Sequence, residues 1–376
     1  MITTSRLRPY TRWTVALCTA LLAACGGGGY GGGGGGGGGG CGAYSSCAPT
    51  VMITNAAGTV RGTVTLTATA TAAGTYTVMN VQFKVDGTAV GAADTTAPYS
   101  YDWNSTTVAN GTHMISATVT DSVGQMATSA NVTLTVSNPV AVPVTLTAGL
   151  LFPAVATAAT GSGGFTITAN GGMSGSVTLS DITASSAEIG DAYAGASSAA
   201  LFALTQNAGN ASEWDVPAST NLDSGQRADL AAGKLYVLVR SAANPHGELR
   251  AQLLPSGFSI KVAALTGGAE VPAVVSSGSG MVAVTVDRAG MMAAVHVNVS
   301  GISATGAEMD TGAAGMVGST LAPLAVDALN PNHYFNDAVT LTGADVSNYM
   351  NGMWYANVFS AAHVSGASRG QLVNAL

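Results

Sequence analysis

"AGKLYVLVRSAANPHGELRAQL" (232–253) and "NGMWYANVFSAAHVSGASRGQL" (351–372) are two versions of one stretch, set 119 positions apart. Gly233 pairs with Gly352, Tyr236 with Tyr355, Val239 with Val358, Gly247 with Gly366, Arg250 with Arg369 and Gln252 with Gln371. Each reads as two strands joined by a turn, "SAANPHG" or "SAAHVSG", because apolar residues alternate on either side of it. Working outward, "LTAGLLFPAV" (146–155) lies over "LTGGAEVPAV" (265–274), with Pro153 over Pro272. "AEIGDAYAG" (187–195) answers "AEMDTGAAG" (307–315) at an offset of 120. A register kept over three blocks makes the C-terminal part of the chain an internal duplication. The composition agrees with strands: 376 residues with 50 glycines, 47% apolar and only 8% charged. The chain is also rich in Thr, Val, Ala and Ser, which leaves few amphipathic helices to expect.

"GASRGQL" (366–372) raises a separate question, since Gly366, Ser368 and Gly370 fit the G-x-S-x-G turn that presents a serine nucleophile. The duplication answers it. The other copy has Leu249 where Ser368 stands, which marks a strand position. No helix pattern follows the serine, and no acid–base partner is placed beside it. The expected catalytic set is empty.

The duplicated blocks resemble the CHRD (chordin-type) domain. That family opens each copy with L-x-G-x-x-E-V-P-P-like text, carries a later A-H-I-H-x-G-like motif and closes on Y-V-x-V-H-T-x-x-N-P-x-G-E-I-R-G-like text. "LTGGAEVPAV", "AEIGDAYAG", "AEMDTGAAG" and "YVLVRSAANPHGELRAQL" are the corresponding segments. The resemblance implies two tandem antiparallel β-sandwich or barrel domains, at 142–256 and 257–376. The family's closely spaced histidines invite comparison with metal-binding barrels, but here Glu188 and Glu308 fill the first histidine position and Gly190 and Asp310 the second. Arg240 and Phe359 stand where the strand histidine would be.

No metal or other cofactor is therefore expected. The five histidines (113, 246, 296, 333 and 363) show no H-x-H or H-x-x-x-H pairing, and Glu308 with Asp310 falls well short of the oxygen count calcium requires. Arg250 and Arg369 are the candidate ligand-facing residues, suited to carboxylate or sulfate. Against that stands a charge that pins a strand or loop, with Glu248 as a local partner for Arg250. The alternation of "DRAGMMAAVHVNVSG" (287–301) places His296 toward solvent. Trp214, Tyr334, Phe335 and Trp354 are assigned to cores rather than to a sugar platform.

Between residues 50 and 138 a different β pattern runs. "VQFKVDGTAVG", "APYSYDW", "NGTHMISATVTDSVG" and the closing "VTLTV" resemble bacterial immunoglobulin-like domains, which implies an antiparallel sandwich acting as a spacer or adhesive module. Trp103 is assigned to its core, His113 to surface or packing, and Asp86 to the turn Asp86-Gly87.

The N-terminus has a character of its own. Arg6, Arg8 and Arg12 precede "WTVALCTALLAA" (13–24), too short to span a bilayer and typical of a signal peptide. Leu22-Ala23-Ala24-Cys25 resembles the bacterial lipobox, which implies cleavage after residue 24, lipidation of Cys25 and attachment to a membrane through the N-terminal lipid. By analogy with envelope sorting, Gly26 favours the outer membrane, facing the periplasm or the exterior. Residues 25–49 read as a glycine-rich tether, with Cys41 and Cys47 as a candidate disulfide in an oxidising compartment. The net charge is −7, and −10 without residues 1–24. No basic stripe remains, so nucleic acid is excluded as a partner.

The sequence thus describes an all-β, non-catalytic envelope lipoprotein: an immunoglobulin-like sandwich followed by two tandem domains that face a protein, glycan or matrix partner. The alternatives are an architectural spacer without a ligand and, third, a metal-dependent barrel enzyme.

Overall fold

The computed structural model describes residues 48–373. Cys25 with its lipobox, the glycine run and the Cys41–Cys47 pair lie outside the described residues.

The first unit is a two-sheet sandwich. One sheet orders Thr50–Ile53, Thr63–Thr71 and Tyr99–Asn104; the other is built on Val78–Val85, Gly111–Asp121 and Val132–Val136. Its inward positions are the alternate apolar residues of the sequence, among them Leu66, Phe83, Ile115 and Trp103. One pairing departs from the antiparallel pattern, since Gly58–Val60 runs parallel to Val132–Val136. The opening segment switches sheets there, with Thr50–Ile53 in one and Gly58–Val60 in the other. At the Asp86-Gly87 turn both residues have positive φ, 51° and 80°, as a two-residue hairpin requires. Asp86 also accepts from the Met114 amide at 2.9 Å and pairs with His113 at 2.7 Å.

The second copy is a closed eight-stranded barrel. Around the circle stand Phe258–Thr266, Ser279–Asp287, Met292–Ser300, Asn330–Thr340, Ser319–Asp327, Ala304–Thr311, Trp354–Ser360 and Ser368–Gln371. The last closes on the first through Thr266 and Arg369. Side-chain alternation sends Trp354, Ala356 and Val358 into the core, and so turns Tyr355 and Asn357 to the outer face.

The first copy follows the same circular order but is open. Val140–Leu146, Thr160–Ile167, Met173–Ser180, Glu213–Asp215 and Thr205–Gln206 form one sheet; Ala200–Ala203, Ala184–Asp191, Leu235–Ser241 and Leu249–Gln252 form the other. The break falls at Leu204, which turns into the core and separates Ala200–Ala203 from Thr205–Gln206. In the second copy the strand Ser319–Asp327 runs through that place without interruption.

Each copy also carries one eight-residue helix, Ser224–Ala231 and Gly343–Met350. Both open with a capping box, Asp223 with Gln226 and Thr342 with Asp345, which satisfies amides that a short helix otherwise leaves bare. The second helix places Tyr349 edge-on against Trp354 at 5.2 Å between ring centres. Its C-terminal carbonyls of Tyr349 and Met350 accept from buried Lys261 at 2.8 and 3.2 Å, the favourable end for a cation.

The copies touch through an apolar cluster of Leu150, Ala194, Ile260, Met281 and Ala283. Asn298 Nδ2 donates to the Gly195 carbonyl across the junction at 2.7 Å.

Candidate functional site

The residues that repeat in the two copies build one local device. Tyr236 holds the amide of Ser198 at 3.2 Å, as Tyr355 holds that of Gly318 at 2.9 Å. The Arg250 guanidinium carbon lies over the Tyr236 ring, 3.9 Å from its centre, and that of Arg369 over Tyr355 at 3.4 Å. Arg250 donates to the carbonyls of Ala196, Ala192 and Tyr193 at 2.5, 3.2 and 2.9 Å, and Arg369 to those of Met316 and Ala313 at 2.8 and 3.3 Å. Gln252 and Gln371 complete the clamp on the same loops. Both arginines therefore pin a loop to the outer face of the strand pair, so the loop-pinning role foreseen for them is present.

In the first copy the device opens onto a cleft. A cleft of about 460 Å³ runs between the copies, with Leu151, Phe152, Tyr236, Leu238, His246 and Arg250 on one wall. Asn298, Ser300, Asn330 and Asn332 of the second copy form the other. Its volume lies in the range of small-molecule sites. Arg250 is only 4% exposed and its Nε has no hydrogen-bond partner. Burial lowers its pKa to about 10. Among the described residues it forms no ion pair. Here the sequence expectation is corrected: Glu248 does not pair with Arg250. Glu248 lies just before the strand Leu249–Gln252 and is held instead by the hydroxyls of Thr157 at 2.6 Å and of Ser241.

In the second copy the same face is filled by polar side chains. Glu270, Asp310 and Asn357 stand where the first copy has Leu151, Gly190 and Leu238. All three are buried, and each has one oxygen without a partner. Burial pushes Glu270 up to about 7, with the Arg369 charge working against the shift and Asp310 adding to it. Burial together with the neighbouring Glu308 raises Asp310 to about 6. In the first copy Glu188 and Arg240, at the family's histidine positions, form an ion pair at 2.5 Å.

A second polar group lies at the junction. His296 Nδ1 is 3.0 Å from His333 Nε2, and His333 Nδ1 is 3.0 Å from Asp327 Oδ2. His296 Nε2 is 3.0 Å from Asp337 Oδ1. The solvent-facing assignment of His296 is corrected by this: it is 4% exposed, packed beside Tyr193 and Gly195 of the first copy. The outward face of its strand is covered by the neighbouring domain, which alternation alone does not reveal. Burial lowers its pKa, with Asp337 opposing. The pair was missed because the two histidines are 37 positions apart in sequence; the register Asn298↔His333 brings their strands side by side.

Ser368 is fully buried inside a strand and its hydroxyl has no partner. Trp214, Tyr334 and Trp354 are buried, and Phe335 is half-buried against the histidine pair. Among the described residues no cluster of three or more His, Cys, Asp or Glu is arranged to hold a metal ion. No helix among them is long and apolar enough to cross a membrane.

Comparison with known proteins gives two family matches. A model of the CHRD domain matches residues 131–253 and 261–372, and a model of a bacterial Ig domain matches residues 49–117. No curated protein matches the chain. Solved structures that match include the fibronectin(III)-like modules of Clostridium thermocellum CbhA, 28% identical over 24% of this chain and 98% of that one, with a TM-score of 0.20. Another is the Bacteroides ovatus mixed-linkage glucan utilization locus SGBP-B in complex with a mixed-linkage heptasaccharide. It is 10% identical over 85% of this chain and 65% of that one, with a TM-score of 0.19.

Proposed function

The chain belongs to the CHRD domain family, with two copies of that domain behind a bacterial Ig domain, and from that premise we propose that it is a non-catalytic binding protein of the cell envelope. The observation that carries the reading is the cleft between the copies, walled by both and containing a buried arginine without a counter-charge. A spacer has no need of such a cleft. In this reading Cys25 carries the lipid and residues 25–49 form a tether with a reach of ~25–30 Å. The Ig unit stands between tether and binding domains. The anchoring membrane is the outer membrane, and the partner is a glycan or an extracellular protein. Lipid, tether and cleft together hold a ligand near the envelope at raised effective concentration.

The test is a binding screen of the protein against glycan and extracellular-protein arrays. A saturable hit that weakens at least tenfold in an Asn330→Ala, Asn332→Ala double variant is expected. Silence from the folded protein would favour the architectural alternative. Anchoring is tested separately by palmitate labelling in cells: label and membrane attachment should both vanish in Cys25→Ala, and a labelled or membrane-bound variant would sink the lipoprotein reading.

A further inference from the structure

The two copies place one arginine on one tyrosine and then surround it differently. On the Arg369 face the chain carries two buried acids, Glu270 and Asp310, neither of them within ion-pair distance of Arg369. Beside Arg250 the matching positions hold Leu151 and Gly190, and Leu151 and Arg250 both line the open cleft. A guanidinium keeps its charge in a protein. Burying one among carbonyl oxygens alone leaves it without the compensation that a carboxylate provides. The two copies differ on this face in that the second has an acid, Glu270, at the position of Leu151, and the first has none there.

The rest of the lining indicates what carries that acid. Asn298, Asn330, Asn332, Ser197 and Ser300 present amides and hydroxyls, groups that match the paired donor and acceptor of neighbouring sugar hydroxyls. Asn298 Nδ2 is committed to the Gly195 carbonyl, which leaves its oxygen to accept. Half-buried Phe152 offers an apolar face. The strands along the cleft, Leu235–Ser241 and Met292–Ser300, are paired on both sides, so a peptide finds no free edge there to extend.

We infer that the cleft of the first copy binds an acidic sugar, its carboxylate turned toward the unpaired Arg250 in the wall that Leu151 also lines. This deepens the binding reading above and rests on it. Leu151 leaves that wall without an acid, and the asparagines of the second copy hold the ring hydroxyls. Both copies are then needed for one site.

The experiment titrates the protein with tetramers of galacturonic, glucuronic and mannuronic acid, each as free acid and as methyl ester, which removes the charge and keeps the ring. At least one free acid should bind saturably, and its ester at least tenfold more weakly. Leu151→Glu places the second copy's own acid in the first. It should cost at least tenfold in acid affinity at an unchanged melting temperature, since residue 151 is only half-buried. Asn330→Ala with Asn332→Ala, both exposed, should weaken acid and ester alike. Equal binding of acid and ester, wild-type affinity in Leu151→Glu, or an equal affinity for tetra-aspartate would each overturn the inference. If no uronide binds while the arrays give a cleft-dependent hit, this inference falls and the binding reading stands; if the arrays are silent too, both fall.

Discussion

Gly195 shows how closely the copies meet. Its φ is +89°, and a Cβ built there would come within 2.8 Å of the His296 Cβ and 3.1 Å of that of Ala283. The backbone thus approaches the second copy where no side chain fits. Gly195→Ala should destabilise the junction by about 1–3 kcal/mol, combining overpacking with left-handed strain. Thermal unfolding checks this, and an unchanged melting profile would show that the copies part easily. Three of the pairs matched between copies (Tyr236 with Tyr355, Arg250 with Arg369, Gln252 with Gln371) build the loop clamp. Two of the residues that distinguish the faces, Leu151 against Glu270 and Leu238 against Asn357, line the cleft of the first copy. Repetition marked the scaffold, and departure from it marked the site.

At the scale of elements, the sheets follow from alternation and the two helices do not. Ser224–Ala231 and Gly343–Met350 are short and weakly patterned, and only the capping boxes at Asp223–Gln226 and Thr342–Asp345 announce them. Thr342 accepts from the Asp345 amide at 3.2 Å. Thr342→Ala should cost about 0.5–2 kcal/mol, read as a lower denaturant midpoint at constant slope. A larger loss would mean that the helix also secures the Tyr349–Trp354 contact beneath it. The open first copy and the closed second copy differ by one kink at Leu204. An apolar residue at a strand position gives no sign that the strand breaks there.

For the whole molecule the buried acids of the second copy set a pH dependence. Glu270 and Asp310 have folded-state values of about 7 and about 6, above the ordinary carboxyl range. Between the unfolded and folded values the native state binds more protons. Stability is therefore gained as pH falls from about 7 toward 4.5, and lost as pH rises through 6 and 7. His296 acts in the opposite sense: its value is lowered in the fold, so acidification below about 6.5 costs stability at that residue. Glu270→Leu, the side chain type of the first copy, should shrink the difference in melting temperature between pH 5 and pH 8. His296→Gln should enlarge it. A difference that Glu270→Leu leaves unaltered would remove Glu270 as its cause.

The sequence by itself determined the β class, the duplication with its strand pairs, the Ig-like unit and most of the core, because alternation and repeated blocks are local signals. Arg250 and Arg369 were singled out together from their place in the repeat, and the repeat gave no sign that Arg250 lines a cleft between the copies. Only the tertiary structure decided that the cleft lies between the copies, that Glu248 turns away from Arg250, and that His296 is buried against His333. Each of these depends on which surface another domain or a distant strand covers. Residues 37 and more positions apart meet there through strand register, and periodicity within one strand carries no record of what packs against its outer face.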